Sequence, residues 1–300
     1  MRALLALLRT MRPRQWTKNI LFVYPALVFD GQLFEIAPFL RVTAACILMI
    51  LMSGAVYIVN DLVDLDKDRV HPRKRHRPLP SGELSIVLAI SAAILLPLIS
   101  IGVAVVWEWR LAVVLLLYLF IQLAYSLYLK NVVIVDVLVV TAGFVLRVIA
   151  GVVVIDVANF SPWLYACTGL LALFLVVGKR RQELFKLGEE AKITRPIFHH
   201  YNLPLLDDLL RMVMTSTFIT YVLYTIEVDT VQVFEVNLAL ITVPFVIYAL
   251  FYYMYLIHVK GEGGAPEEVL LTNRNIQITI LLWVLTFIIL IYILPRMLAI

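Results

Sequence analysis

The chain has 300 residues, 62% of them hydrophobic and 15% charged, with a net charge of +4 and a mean hydropathy of +0.95. Soluble domains are about half apolar and about a quarter charged, so one aqueous core of this length cannot hide the excess, and a bilayer is the expected solvent. Cys46 and Cys167 both fall inside apolar runs, which argues against a disulfide framework or a thiol metal site.

Residues 1–10 are basic and leucine-rich, lack a small-residue cleavage site, and read as an interfacial amphipathic lead-in rather than a signal peptide. A bilayer core about 30 Å thick takes roughly 20 apolar residues per helix. Nine spans follow on that measure, near 19–39, 41–60, 84–106, 111–129, 132–155, 162–178, 209–226, 236–257 and 276–294. The long polar loops between them lie near 61–83, 179–208 and 258–275. The expected fold is all-α: a polytopic membrane protein with nine transmembrane helices around a central cavity.

Charge sets the direction. Of the 25 Lys and Arg, all but Arg41, Arg110, Arg147 and Arg296 fall in the N-terminal segment or on the side of the loops after spans two, four, six and eight. Positive residues stay cytoplasmic, so the N-terminus and the long polar loops are expected inside. No glycine-rich phosphate loop or nucleic-acid motif is present, and no nucleic-acid partner is expected.

The second span runs into Asn60-Asp61-Leu62-Val63-Asp64-Leu65-Asp66-Lys67-Asp68. If the helix continues past the membrane edge, Asp61, Asp64 and Asp68 stack on one face while Asp66 points elsewhere. Three like carboxylates on one stripe repel unless a cation sits among them. Oxygen donors with open positions suit magnesium, which binds through one or two carboxylates plus phosphate oxygens. The plainer reading is a solvated helix end beside a basic loop.

The pattern Asn60-Asp61-x-x-Asp64-x-x-x-Asp68, in the loop after the second helix, resembles the first aspartate-rich motif of the UbiA-type intramembrane prenyltransferase superfamily. The resemblance extends over most of the chain. It implies a UbiA-like fold with Mg2+ as cofactor, held against a diphosphate by Asn60, Asp61, Asp64 and Asp68, with the three aspartates as the catalytic set.

Prenyl-transferring members carry a second aspartate-rich motif after the sixth helix. Here that place holds Gly178-Lys179-Arg180-Arg181-Gln182-Glu183-Leu184, with Glu183 alone left as a metal ligand or hydroxyl acceptor. A Lys-Arg cluster binds anions directly, without a second magnesium, so the site is expected to hold more than one phosphorylated group. Positive-inside anchoring is the plainer reading and suits Arg181 and Lys186; Lys179 and Arg180, beside the end of an apolar span, are read as functional.

Three further segments accompany this one: Arg12-Pro13-Arg14-Gln15-Trp16-Thr17-Lys18-Asn19, His71-Pro72-Arg73-Lys74-Arg75-His76-Arg77-Pro78 and Tyr125-Ser126-Leu127-Tyr128-Leu129-Lys130. Together they resemble the decaprenyl-phosphate phosphoribosyltransferase subgroup. That resemblance implies transfer of 5-phosphoribosyl from phosphoribosyl diphosphate to a polyprenyl (decaprenyl-type) phosphate, releasing diphosphate, for cell-envelope polysaccharide precursors.

Arg147 lies well inside the fifth span, where a charge needs a cavity or a partner. Asp136 is about 20° away around the helix but about 16 Å along it, too far for a direct bond. With Gly143 between them the stripe is read as facing the cavity; residues that merely tie helices together are the alternative. Arg14, Lys18, Tyr125, Lys130 and Arg147 are the candidates for the lipid phosphate, with Asp136 ordering Lys130. Lys74, Arg77, Lys179, Arg180 and Glu183 are the candidates for phosphoribosyl diphosphate. His199 and His200 point about 100° apart on a helix and do not make a metal pair.

Two other functions fit parts of the pattern. A prenyltransferase moving a prenyl group from its diphosphate to an aromatic acceptor, in quinone or haem synthesis, needs the second aspartate motif missing here. A flippase for phosphorylated lipid suits the basic loops, but the sequence has no evident inverted repeat. The chain is read as one integral-membrane domain, 1–300, of the plasma membrane, its active site facing the cytoplasm.

Overall fold

The computed structural model describes residues 2–70, 74–157, 161–188, 190–191, 195–228, 232–233, 236–262, 269 and 272–297. Helix α1 (Arg2–Thr10) leads through a 3₁₀ turn at Pro13–Gln15 into two short helices, α2 (Trp16–Val23) and α3 (Pro25–Phe29). The span expected at 19–39 is therefore broken. Pro25 has no amide hydrogen to return to the preceding turn and its ring crowds that turn, and residues 30–35 are not helical.

The other eight expected spans are present in order. They are α4 (Ile36–Val63), α6 (Ile86–Trp107), α7 (Trp109–Leu127), α8 (Val135–Val152), α9 (Pro162–Leu187), α10 (Leu203–Glu227), and the stretches Leu238–His258 and Arg274–Met297. Helix α5 (Leu65–Val70) follows α4 directly. The seventh of these spans is a 3₁₀ turn continued by α11 (Val243–His258). The eighth is α12 (Arg274–Ile288), extended through a π turn at Ile289–Ile293 into α13 (Leu294–Met297). A two-residue antiparallel pair, Gln232–Val233 with Val236–Asn237, is the sole strand pairing among the described residues.

One boundary matters for the site. Helix α9 runs nine residues past the expected end of its span, so Lys179 to Glu183 stand on a helix, not in a loop. The reason is local: Lys179 to Leu187 are mostly strong helix formers, and the first stop is Gly188, which takes φ +51.

Two compact units emerge, Met1–Leu129 with Leu146–Val157, and Lys130–Val145 with Ala158–Ile300. The first has a core of Val23, Leu27, Met49, Met52, Leu111, Leu115, Leu146 and Ala150. A neighbouring cluster of Ala6, Met11, Ile58, Leu79 and Leu84 fastens α1 and the segment after α5 to the C-terminal part of α4. The second unit closes around Phe174, Val177, Leu206, Leu210, Leu250, Leu256 and Ile276. Apolar side chains such as Val87, Leu98, Val105 and Phe120 stay outward, a surface that lipid covers better than water.

Within the first unit, α8 meets α2 backbone to side. A Cβ on Gly151 would stand 1.9 Å from the Val23 carbonyl oxygen, so only glycine permits the approach. One turn earlier on each helix stand Arg147 and Asn19.

Candidate active site

Helix α4 stops at Val63, with the Asp64 amide donating to the Asn60 carbonyl at 3.0 Å, and α5 begins at Leu65. The acidic residues thus do not form one uninterrupted helical stripe. The turn nevertheless brings Asp61 and Asp68 onto the same guanidinium: Arg77 Nη1 donates to Asp61 Oδ1 at 3.1 Å and to Asp68 Oδ2 at 2.7 Å. Arg12 Nη2 donates to Asp61 Oδ1 at 2.6 Å, and Lys74 Nζ lies 3.4 Å from Asp68 Oδ1. Both carboxylates are buried, whereas Asp66 faces solvent and pairs with Arg69. Asp64 is half-buried at the helix end. His71 to Arg73 lie outside the described residues.

Arg12 reaches Asp61 from an unusual backbone. Its φ of 57° is left-handed, and its guanidinium also lies 4.7 Å from the centre of the Tyr57 ring. The hard oxygens of Asp61 and Asp68, drawn to one positive centre, match the donor chemistry of a divalent cation such as magnesium. Among the described residues no three acidic, His or Cys side chains gather as a ready metal cage. A metal here would draw on two carboxylates and complete its shell with phosphate or water oxygens.

A second polar group of the first unit surrounds Arg147, which is buried. Its Nε donates to Asn19 Oδ1 at 2.7 Å and its Nη2 to the Tyr118 hydroxyl at 2.8 Å, with the guanidinium carbon 4.9 Å from the Tyr118 ring centre. Asn19 Nδ2 in turn donates to Ser53 Oγ at 3.1 Å. Asn19 of α2 and Tyr118 of α7 thus fix two nitrogens of the arginine, with Ser53 of α4 holding Asn19 in turn.

The second unit holds a chain of ion pairs and hydrogen bonds. Asp136, fully buried, accepts from Arg180 Nε at 3.1 Å and from the Tyr201 hydroxyl at 2.7 Å. Asp136 thus takes Arg180 and Tyr201 as partners. The Tyr201 hydroxyl also accepts the Ile134 amide at 2.8 Å. That bond holds a β-branched residue at φ 68°, a strained conformation. Burial first, and then the hydrogen bond to Asp136, push the Tyr201 phenol well above its ordinary pKa. Beyond Arg180, Glu183 accepts from Arg180 Nη1 at 3.3 Å and lies 3.2 Å from Arg195 Nε.

The remaining candidates fall as follows. Lys18 and Tyr125 are half-buried and Arg14 exposed in the first unit; Lys130 and Lys179 are half-buried in the second. Arg181 is a buried tie, not a surface anchor: it pairs with Asp207 at 2.9 Å and meets the His258 ring nitrogen at 3.2 Å. His199 and His200 are both exposed. Sequence reasoning missed Arg12, Asn19 and Tyr118 as members of these networks. Arg12 and Asn19 stand in a segment already singled out for its basic residues; Tyr118, inside an apolar run, gives no signal.

The chain is similar to known proteins along most of its length. The chain is 32% identical over 293 residues to the decaprenyl-phosphate phosphoribosyltransferase of Mycolicibacterium smegmatis, covering 93% of this chain and 90% of that one. It is 29% identical over 297 residues to the protein of the same name from Corynebacterium glutamicum, covering 96% and 87%. The solved structure of a UbiA homologue from Archaeoglobus fulgidus bound to GPP and Mg2+ superposes with a TM-score of 0.70 at 20% identity, covering 96% of this chain and 100% of that one. With residues 20–271 also matching the UbiA prenyltransferase family, the chain belongs to that family.

Proposed function

We propose that this protein is a membrane phosphoribosyltransferase that moves 5-phosphoribosyl from phosphoribosyl diphosphate to a polyprenyl phosphate of the decaprenyl type, releasing diphosphate, in the supply of cell-envelope precursors. The buried pair Asp61 and Asp68, meeting on Arg77 with Arg12 and Lys74 beside them, is the observation that carries it. The names of the relatives and the basic residues standing in place of a second aspartate motif give the substrate pair. The whole chain is read as one transferase domain. Its positive residues favour a plasma-membrane orientation with the acidic motif toward the cytoplasm.

The reaction joins a lipid phosphate oxygen to C1 of ribose and breaks the bond from C1 to the diphosphate. The attacking oxygen is anionic at neutral pH, so no side chain has to remove a proton. The chain's task is to hold two anions together and to stabilise charge on the departing diphosphate. Asp61 and Asp68, with Asn60 and Asp64 beside them, would hold Mg2+, which supplies charge neutralisation to the leaving group when bound. Lys74, Arg77, Lys179, Arg180 and Glu183 are assigned to phosphoribosyl diphosphate. Arg180 acts there through Glu183, because Asp136 holds its Nε. Arg147, with Arg14, Lys18, Tyr125 and Lys130, is assigned to the lipid phosphate. Attack from the face opposite the diphosphate inverts C1, giving a β-linked product from the α-donor.

The purified protein in lipid nanodiscs, given phosphoribosyl diphosphate and polyprenyl phosphate, is expected to release diphosphate only when both are present. Release from a prenyl diphosphate and an aromatic acceptor, with none from the phosphoribosyl donor, would replace this reading by the prenyltransferase one.

A further inference from the structure

The counter-charge on the acidic pair has a consequence for the order in which ligands bind. Asp61 and Asp68 carry two negative charges between them, and Arg12, Lys74 and Arg77 bring three positive groups to within 3.4 Å of their oxygens. A divalent ion arriving at those oxygens meets a cluster already neutralised. It can settle only if a guanidinium leaves.

Arg77 is the group able to do so. Among the described residues Arg77 is the one cation that bridges both carboxylates, its side chain is 33% exposed, and it stands between the 3₁₀ turn at Lys74–His76 and the buried Leu79 and Leu84. The backbone around it is pinned, so the movement belongs to the side chain. A guanidinium withdrawn from two carboxylates needs another pair of acceptor oxygens, and a diphosphate presents them in matching fork geometry.

Resting on the metal assignment above, we infer that Arg77 is an exchange residue. It neutralises Asp61 and Asp68 in the empty enzyme and passes to the substrate's diphosphate as the divalent ion takes its place. Metal and diphosphate then bind as a coupled pair, each raising the affinity for the other by the same factor. Metal alone binds weakly because Arg77 has nowhere to go, and diphosphate alone binds weakly because the carboxylates retain Arg77. A practical result is that the empty enzyme does not sequester divalent ions, and the donor sugar does not lodge unproductively without one.

Two binding measurements test this without turnover. Mn2+ binding, read by electron paramagnetic resonance on full-length protein in nanodiscs without diphosphate, is expected to be about tenfold tighter in Arg77→Gln than in the wild type. Inorganic diphosphate binding, measured by calorimetry in EDTA, is expected to be about tenfold tighter in Asp68→Asn, with the gain lost in the Asp68→Asn/Arg77→Gln double variant. If Mn2+ binds the wild type and Arg77→Gln equally well, the exchange is wrong while the metal site stands. Unchanged diphosphate binding in Asp68→Asn also overturns it. If neither protein binds Mn2+ at millimolar concentration, the metal assignment itself falls, and the exchange with it. Should Arg77→Gln not fold, Arg12→Gln carries the same test, with a smaller gain of about threefold because Arg12 bonds Asp61 alone.

Discussion

Replacing Gly151 by alanine probes the packing that holds Arg147 in place. The new Cβ would lie 1.9 Å from the Val23 carbonyl oxygen and 3.0 Å from its carbon. That neighbour is backbone, so no side chain can swing aside, and α2 must retreat by about 1.3 Å to restore tight van der Waals contact. Asn19 is one turn away on the same short helix and moves with it. Its 2.7 Å bond to Arg147 Nε then stretches to about 4 Å, beyond hydrogen-bond range. Losing a bond to a buried charged group costs about 1.5–3 kcal/mol, and the overpacking adds about 1–3 kcal/mol. Together these lower the melting temperature by about 5 °C or more. A misplacement of about 1 Å at a substrate-holding arginine lowers lipid phosphate use by about 10²-fold. Thermal melts of purified protein, alongside steady-state rates at varied lipid phosphate, give both numbers. A Gly151→Ala protein that melts within about 1 °C of the wild type and keeps its lipid KM would refute the claim that this helix contact positions Arg147.

Three other perturbations separate the networks. Arg147→Leu should raise the KM for lipid phosphate far more than that for phosphoribosyl diphosphate; an equal loss on both sides, read from initial rates, would mark Arg147 as a structural tie only. Asp61→Asn is expected to lower kcat by at least about 10³-fold, and added magnesium should not restore it. Tyr201→Phe leaves the Ile134 amide and one Asp136 oxygen without their bond, a cost of about 1–3 kcal/mol. It should also change the alkaline limb of stability. The folded-state pKa of Tyr201 lies above its unfolded value, so its contribution is whole below about pH 10 and is lost as pH rises further. Melts from pH 7 to 11 should fall less steeply in Tyr201→Phe than in the wild type, and parallel curves would contradict this.

Eight membrane-crossing helices were legible because hydropathy and length depend on the local sequence alone, and lipid requires both. The first predicted span has suitable composition, but Pro25 acts on backbone geometry, which a hydropathy sum does not register. The end of α9 went the opposite way: polarity at Lys179 suggested a loop, while helix propensity carried the chain on to Gly188. Asp61 and Asp68 were legible as a pair from their spacing. The partners that meet them were only partly so: Arg77 stood out as a cation beside the motif, whereas Arg12 comes from another part of the chain by tertiary packing. The Asp136 stripe shows the limit most clearly. Helical periodicity relates Asp136 to Arg147, but its bonds go to Arg180 and Tyr201, more than forty positions away, at a separation no periodicity encodes.

The left-handed Arg12 gives the amino-terminal segment an influence out of proportion to its nine-residue helix. Its bond to Asp61 couples the placement of α1 to the charge balance of the acidic pair. Shortening the protein past this arginine, or fusing a bulky tag against it, would therefore disturb chemistry more than anchoring. Glycine here would relieve the backbone while withdrawing the cation, and lysine would keep the cation without the fork.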